Sequence, residues 1–359
     1  MTSQPSRREG TRWQADAATG KPLLRVRGLS VTLPTRRGDI KAVDGVSLDV
    51  MPGSALGLVG ESGSGKSILL RSILGLLPDE AHVEGQIYLE DEELNALAPK
   101  QRAMSRGKNI SVIFQDPMTA LNPVRRIGAQ IAEGPIVHYG LRRSAARARA
   151  IELLAEVGIP DAAEVSRRYP HELSGGMRQR ALIAMALACD PKIILCDEPT
   201  TALDVTLQKK IIDLLRRVCL DRGVALLFVS HDLAVVSELC DFVNVMYAGR
   251  FVETGLARQV ISSPRHVYTW ALLRSLPPVD GPRVAPLSIG GLPPDRLHPP
   301  TGCRFHPRCP VAQDVCVTLP YDLKDVGNGR RSACIYGAAP LPVTDEPGAV
   351  TDEQSGVVR

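Results

Sequence analysis

Aromatic side chains are scarce, 4% of 359 residues, and none falls between Trp13 and Tyr88. The early chain therefore lacks a ring platform on which a base could stack. Long apolar runs are missing too. The longest, Ala181 to Cys189, is about half of the roughly 18 to 20 residues that a membrane-spanning helix needs, so no segment crosses a bilayer by itself. Met1 to Lys21 carries Arg7, Arg8 and Arg12 but no apolar stretch; the expectation is a protein without a secretory signal, retained in the cytoplasm. Charge of one sign is also lacking. The 43 basic and 39 acidic residues leave +4, which makes no electrostatic case for nucleic acid as a partner. No internal repeat is visible.

What is present is the composition of a folded chain, 44% hydrophobic and 23% charged, with length for about two or three folding units. Residues 23–33 and 42–50 are β-branched and partly alternating, which predicts a β-rich entry. Leu56 to Val59 reads as a short buried strand running into a Gly-rich turn, then a helix over Ser67 to Leu77 that Pro78 stops. From about Met118 to Tyr169 the spacing is helical; strands return at Ile193 to Cys196, Ala225 to Val229 and Asp241 to Tyr247. Strands interleaved with helices point to an α/β core with a parallel sheet. After residue 263 the composition shifts. Fifteen of the 28 prolines lie there, with four of the eight cysteines between 303 and 334, and this predicts a separate, loop-rich appendix.

Gly60-Glu61-Ser62-Gly63-Ser64-Gly65-Lys66-Ser67 matches the pattern G-x-x-x-x-G-K-S/T, after a strand and before a helix. Glycines allow backbone N–H groups to turn inward around phosphate oxygens, and the helix N-terminus adds partial positive charge. Lys66 is placed to reach the β- and γ-phosphates and Ser67 to offer a hydroxyl to Mg²⁺. A chance Gly/Ser turn is the competing reading, and the flanking strand and helix argue against it.

Ile193 to Cys196 leads into adjacent carboxylates, Asp197 and Glu198. At a strand end, where ligands of α/β sheets bind, Asp197 is the candidate for holding Mg²⁺ and Glu198 for activating the attacking water. Leu173-Ser174-Gly175-Gly176-Met177-Arg178-Gln179-Arg180 opens a helix, with a Ser cap and free amides suited to an anion.

That octet resembles the signature motif of the ATP-binding cassette (ABC) ATPases, and the resemblance extends over about residues 23–260. It implies that Gln115, in Phe114-Gln115-Asp116-Pro117, is the Q-loop glutamine, a further Mg²⁺ and nucleotide contact. Asp204, in Thr201-Ala202-Leu203-Asp204, becomes the D-loop aspartate and His231 the switch histidine. The implied fold is a P-loop ABC-type α/β domain with a mixed sheet core, an antiparallel β entry and a helical insertion. The implied boundaries are a flexible tail at 1–22, the ATPase domain at 23–263 with its helical subdomain at about 116–175, an extension at 264–337 and a disordered tail at 338–359. Where relatives stack an aromatic residue on adenine, Leu33 stands here; it predicts weaker discrimination of ATP from GTP. One chain carries one copy of each motif, so the resemblance implies a dimer in which the Ser174–Gly176 segment of one domain closes over the triphosphate of another.

Cys303, Cys309, Cys316 and Cys334 follow C-x₅-C-x₆-C-x₁₇-C. Four thiolates can hold zinc or an iron–sulfur cluster, or remain unligated; His306 is a further donor. Cys189, Cys196, Cys219 and Cys240 read as small core residues. Residues 264–277 and 302–309 resemble the C-terminal extension of oligopeptide and dipeptide importer ATPases, and this implies a structural 4Fe-4S cluster ahead of zinc. The implied role is the ATP-hydrolysing subunit of a bacterial importer for dipeptides or oligopeptides at the cytoplasmic face of the inner membrane. Its implied partners are a second ATPase subunit, a paralogue rather than a copy, two integral-membrane permeases and an extracytoplasmic binding protein, with no nucleic acid. Nickel is the alternative cargo, and a soluble ABC ATPase uncoupled from transport the rival role.

Overall fold

The computed structural model describes residues 20–200, 204–275, 289–318, 322–339 and 341. The expected tail at 1–22 and the terminal segment beyond 338 lie almost wholly outside them, as does Thr201-Ala202-Leu203. The entry is a four-stranded antiparallel sheet in the order β2-β1-β4-β5, built from β1 (Leu24–Thr35), β2 (Gly38–Val50), β4 (His82–Leu89) and β5 (Glu92–Glu93). An eight-stranded mixed sheet runs β11-β12-β10-β9-β3-β8-β7-β6. Its parallel centre is β3 (Ala55–Val59), β6 (Ile110–Ile113), β7 (Ile193–Asp197), β8 (Ala225–Ser230) and β9 (Phe242–Tyr247). The remaining strands, β10 (Arg250–Leu256), β11 (Lys324–Asp325) and β12 (Arg331–Ser332), add antiparallel at one edge.

The central strands are largely apolar because both faces are covered, which is why alternation is weak in them. Side chains of one strand still point to opposite faces. Leu56, Leu58, Ile193, Leu195, Leu227 and Val229 fill the core shared with the entry sheet and the helix Lys66–Leu74. Ile194, Cys196, Leu226 and Phe228 fill the other core, against the helices Gly175–Ala186 and Val205–Arg222.

The appendix expected to be separate instead joins the main body. β12 pairs with β10, matching Glu253 to Ser332 and Thr254 to Arg331, while Val267, Tyr268, Phe305 and Val311 are buried in the same core as the helices. Proline content signalled few regular elements but carried no information on what the segment packs against.

Candidate functional site

Parallel register assembles the site. Val59 of β3 lies opposite Ser230 of β8, Asp197 of β7 opposite Val229, and Ile113 of β6 opposite Cys196. The C-terminal ends of four neighbouring strands therefore deliver the phosphate loop, Asp197–Glu198, His231 and Gln115 to one edge of the sheet, where α/β sheets bind ligands.

The loop turns sharply at Gly60. Its φ is 156°, and a Cβ there would overlap the carbonyl oxygen of Met246, so only glycine fits. Lys66 is buried and folds back over the loop, donating to the carbonyl oxygens of Gly60 at 2.7 Å and Glu61 at 3.0 Å and to Ser64 Oγ at 3.5 Å. Burial lowers its pKa, opposed by the carboxylates of Glu198, Asp197 and Glu61. Ser62 and Gly63 are exposed at the tip of the loop, while Ser64 is buried; Gly65, with φ 112°, precedes the helix.

Ser67 Oγ donates to Asp197 Oδ1 at 2.9 Å. Burial raises the Asp197 pKa, against the hydroxyl of Ser67, and the neighbouring Glu198 charge raises it further. A divalent cation between these two oxygens would reverse that direction. Both are hard oxygen donors of the kind Mg²⁺ takes, usually with water and phosphate completing the shell.

Glu198 has φ 47°, a left-handed conformation uncommon outside glycine, and its N–H donates to Val229 O at 3.1 Å. Such backbone strain clusters at functional positions. Glu198 Oε2 lies 3.1 Å from Nδ1 of His231. That hydrogen bond raises the His231 pKa, with burial opposing it. Gln115, two residues beyond β6, is exposed.

The structure thus brings Lys66, Ser67, Asp197, Glu198 and His231 together. Among the described residues no hydrogen bond or ion pair joins Ser174, Gly175 or Gly176 to the phosphate loop. Ser174 instead caps its own helix, accepting from Met177 N at 3.3 Å, and Ser174 and Gly175 are exposed. Asp204 likewise caps the helix Val205–Arg222 through Leu207 N at 2.9 Å. Leu33, partly buried, faces Ile40 across the β1–β2 pair.

Sequence reading missed the C-terminal contacts on the loop. Glu61 N–H donates to the hydroxyl of Tyr268 at 2.8 Å, and its carboxylate pairs with Arg308. Asp44 pairs with Lys41 at 2.6 Å, with Arg250 at 2.7 Å and with Arg304. Burial pushes Asp44 up, but the hydrogen bonds from Lys41 and Arg250 and the Arg250 and Arg304 charges outweigh it and hold it at about 2. No local spacing signals contacts across more than 200 positions. The only available hint was the density of arginine around the cysteines.

Cys303, Cys309, Cys316 and Cys334 line one cavity of about 40 Å³ together with His266, Phe305 and His306. Among the described residues no three His, Cys, Asp or Glu side chains converge closely enough to hold a metal ion. Burial pushes the Cys309 thiol up to about 12 and raises Cys334.

A phosphate loop, a strand-end carboxylate pair and a switch-like histidine at one sheet edge define a P-loop nucleotide-binding protein. The family described as ABC transporter matches residues 43–201, and the oligopeptide/dipeptide transporter C-terminal region matches 252–316. A probable D,D-dipeptide transport ATP-binding protein, DdpD of Escherichia coli K12, is 47% identical over 88% of this chain and 97% of its own length. The dipeptide transport ATP-binding protein DppD of the same organism is 45% identical over 88% of this chain and 96% of its own. Among solved structures, the dimeric post-hydrolysis state of the ATP-binding cassette MJ0796 with ADP and phosphate superposes with TM-score 0.59 at 28% identity. It covers 66% of this chain and 99% of that one. The chain belongs to the ABC transporter family, within the group of dipeptide and oligopeptide transport ATP-binding proteins, and its reaction is ATP hydrolysis.

Proposed function

We propose that this chain powers an importer of dipeptides or oligopeptides, hydrolysing ATP at the edge formed by β3, β6, β7 and β8. The observation that carries the reading is the close set Ser67–Asp197 and Glu198–His231 beside the buried Lys66, joined in one chain to the peptide-transporter C-terminal region. The backbone amides of residues 60–67 cradle the phosphates and Lys66 leaves its loop carbonyls for the β- and γ-phosphates. Ser67, Asp197 and Gln115 would hold Mg²⁺, which neutralises phosphate charge. Glu198 accepts a proton from the attacking water as its oxygen bonds to the γ-phosphorus and the bond to the ADP oxygen breaks. His231 orients Glu198 and reads the same phosphate.

The exposure of Ser174 and Gly175, with no bond to the phosphate loop of their own chain among the described residues, supports a dimer in which each signature segment, with Asp204, completes a partner's site. ATP then adheres the two domains and hydrolysis releases them, a difference in contacts that can drive a conformational change in membrane permeases. No helix among the described residues is long and apolar enough to cross a membrane, which supports a subunit held peripherally at the cytoplasmic face by two permeases. A second, paralogous ATPase subunit and an extracytoplasmic binding protein complete the assembly.

The four thiols would hold a 4Fe-4S cluster ahead of zinc, as the resemblance of the extension implies. Zinc draws all its ligands to one atom at about 2.3 Å, whereas a cubane spreads four thiolates around its corners. That all four thiols line one cavity supports a common occupant. The cluster would have a structural role, binding the extension's loops together. Co-purification with the permeases, followed by ATP-dependent uptake of labelled dipeptide and of nickel into proteoliposomes, tests the function. Uptake of nickel alone would reverse the cargo assignment.

A further inference from the structure

The segment that carries the cysteines also grips the phosphate loop. Arg308 has a side chain only 4% exposed, and its guanidinium meets Glu61 with two prongs, Nη1 to Oε2 at 2.7 Å and Nη2 to Oε1 at 3.0 Å. Its other donors are used as well: Nη1 to the Tyr247 hydroxyl at 3.2 Å, Nε to Gly290 O at 2.8 Å and Nη2 to Ile289 O at 3.2 Å. A two-pronged arginine–carboxylate pair fixes orientation as well as distance.

Glu61 is held at its other end too, because its N–H donates to Tyr268 Oη. Its carbonyl oxygen in turn accepts from Lys66 Nζ at 3.0 Å. A continuous path therefore runs from Arg308 through Glu61 to the lysine that must reach the phosphates. On the far side, Arg308 follows His306 by two positions and directly precedes Cys309, and both of those residues line the thiol cavity. Phe305 lines that cavity as well, and its ring packs 5.3 Å from both Tyr247 and Tyr268. The cavity wall is therefore in direct ring contact with Tyr268, which holds the Glu61 amide, and with Tyr247, which holds Arg308.

We propose that Arg308 is a positioning residue for nucleotide binding: through Glu61 it holds the first turn of the phosphate loop, and so links the cysteine block to the ATP site. The inference rests on the nucleotide site described above and not on what the four thiols hold. Linkage of this kind is reciprocal. ATP binding should tighten the cysteine block by the same free energy with which an intact block favours ATP.

The test is a double-substitution cycle read by equilibrium binding of a fluorescent ATP analogue. Arg308→Ala should weaken binding about tenfold, within the roughly 5- to 150-fold range of site-to-site coupling, with a larger effect on KM than on kcat. Arg308→Lys, which keeps charge but not the two-pronged geometry, should recover part of the loss and serves if the alanine variant does not fold. In a Glu61→Gln background the Arg308 substitution should cost less than about threefold, since the shared contact is already broken. Independent, multiplying losses would overturn the proposal. Hydrogen exchange supplies the second readout. The amides of His306, Arg308 and Cys309 are bonded within their own turn, and ATP should slow their exchange in the wild type but much less in Arg308→Lys. Unchanged exchange in a wild type that binds ATP would overturn the linkage alone; a wild type that binds no ATP would overturn the function as well.

Discussion

At the residue scale the proposed hydrolytic step turns on Glu198. Glu198→Gln keeps shape but not basicity, and a positioned general base contributes typically 10²- to 10⁴-fold; single-turnover hydrolysis should fall by about that factor while ATP remains bound. A wild-type rate would remove Glu198 from the role. His231 allows a direct check by NMR titration. Its pKa is raised chiefly by the hydrogen bond that it donates to Glu198, so the contact is fully stabilising below the ordinary histidine value near 6.5 and is lost as pH rises through the folded-state value. The His231 midpoint should lie above 6.5 in the wild type and move down in Glu198→Gln. Leu33 is a third case. Stacking a base on an aromatic ring is worth about 1 to 3 kcal/mol, so Leu33→Phe should tighten ATP binding roughly fivefold or more in a binding titration and sharpen rejection of GTP. The sequence singles out these three positions because each sits at a motif position or at a defined departure from one.

Elements were legible where a local rule governed them. The strands at 56–59, 193–196 and 225–229 are expected and found, because a buried parallel strand is apolar at every position. The helix expected over Ser67 to Leu77 ends at Leu74 instead. Gly75, with φ 65°, closes it by donating to Arg71 and Ser72 carbonyls, so a glycine stop acts before the proline does. The helical stretch from Met118 to Tyr169 divides into Pro117–Ala120, Ile127–Tyr139, Arg143–Glu156 and Ala162–Val165. β4 has five exposed residues and β6 only four in all, which leaves too little periodicity to show them. Asp204 illustrates an element-scale role beside a functional one. Asp204→Ala should lower stability by about 1 kcal/mol in a urea melt through loss of the cap on Val205–Arg222. Asp204→Asn should keep the cap, so any loss of ATPase it shows belongs to the dimer contact and not to folding.

For the whole molecule, the decisive property of the proposed dimer is that, among the described residues, no hydrogen bond or ion pair joins the Ser174–Gly176 segment to the phosphate loop of the same chain. Specific ATPase activity should therefore rise with protein concentration, and Glu198→Gln with ATP should sediment as a dimer while the ATP-free protein sediments as a monomer. Activity per chain that is constant on dilution would overturn the arrangement. Local order along the chain was enough for the chemistry of the phosphate loop, the carboxylate pair and the signature helix start, since glycine φ requirements, helix caps and strand-end placement all act within a few residues. Tertiary packing alone decided the rest. The approach of Ser67 to Asp197 spans 130 positions and that of Arg308 to Glu61 spans 247; both depend on which strands lie side by side and on what the C-terminal segment buries. The same is true of the four thiols, whose spacing allows several structures and whose common cavity exists only because Phe305 and His266 are folded against the same core. Contacts of that range arise from the competition of whole surfaces for burial, and no short stretch of sequence holds enough of either surface to predict the result.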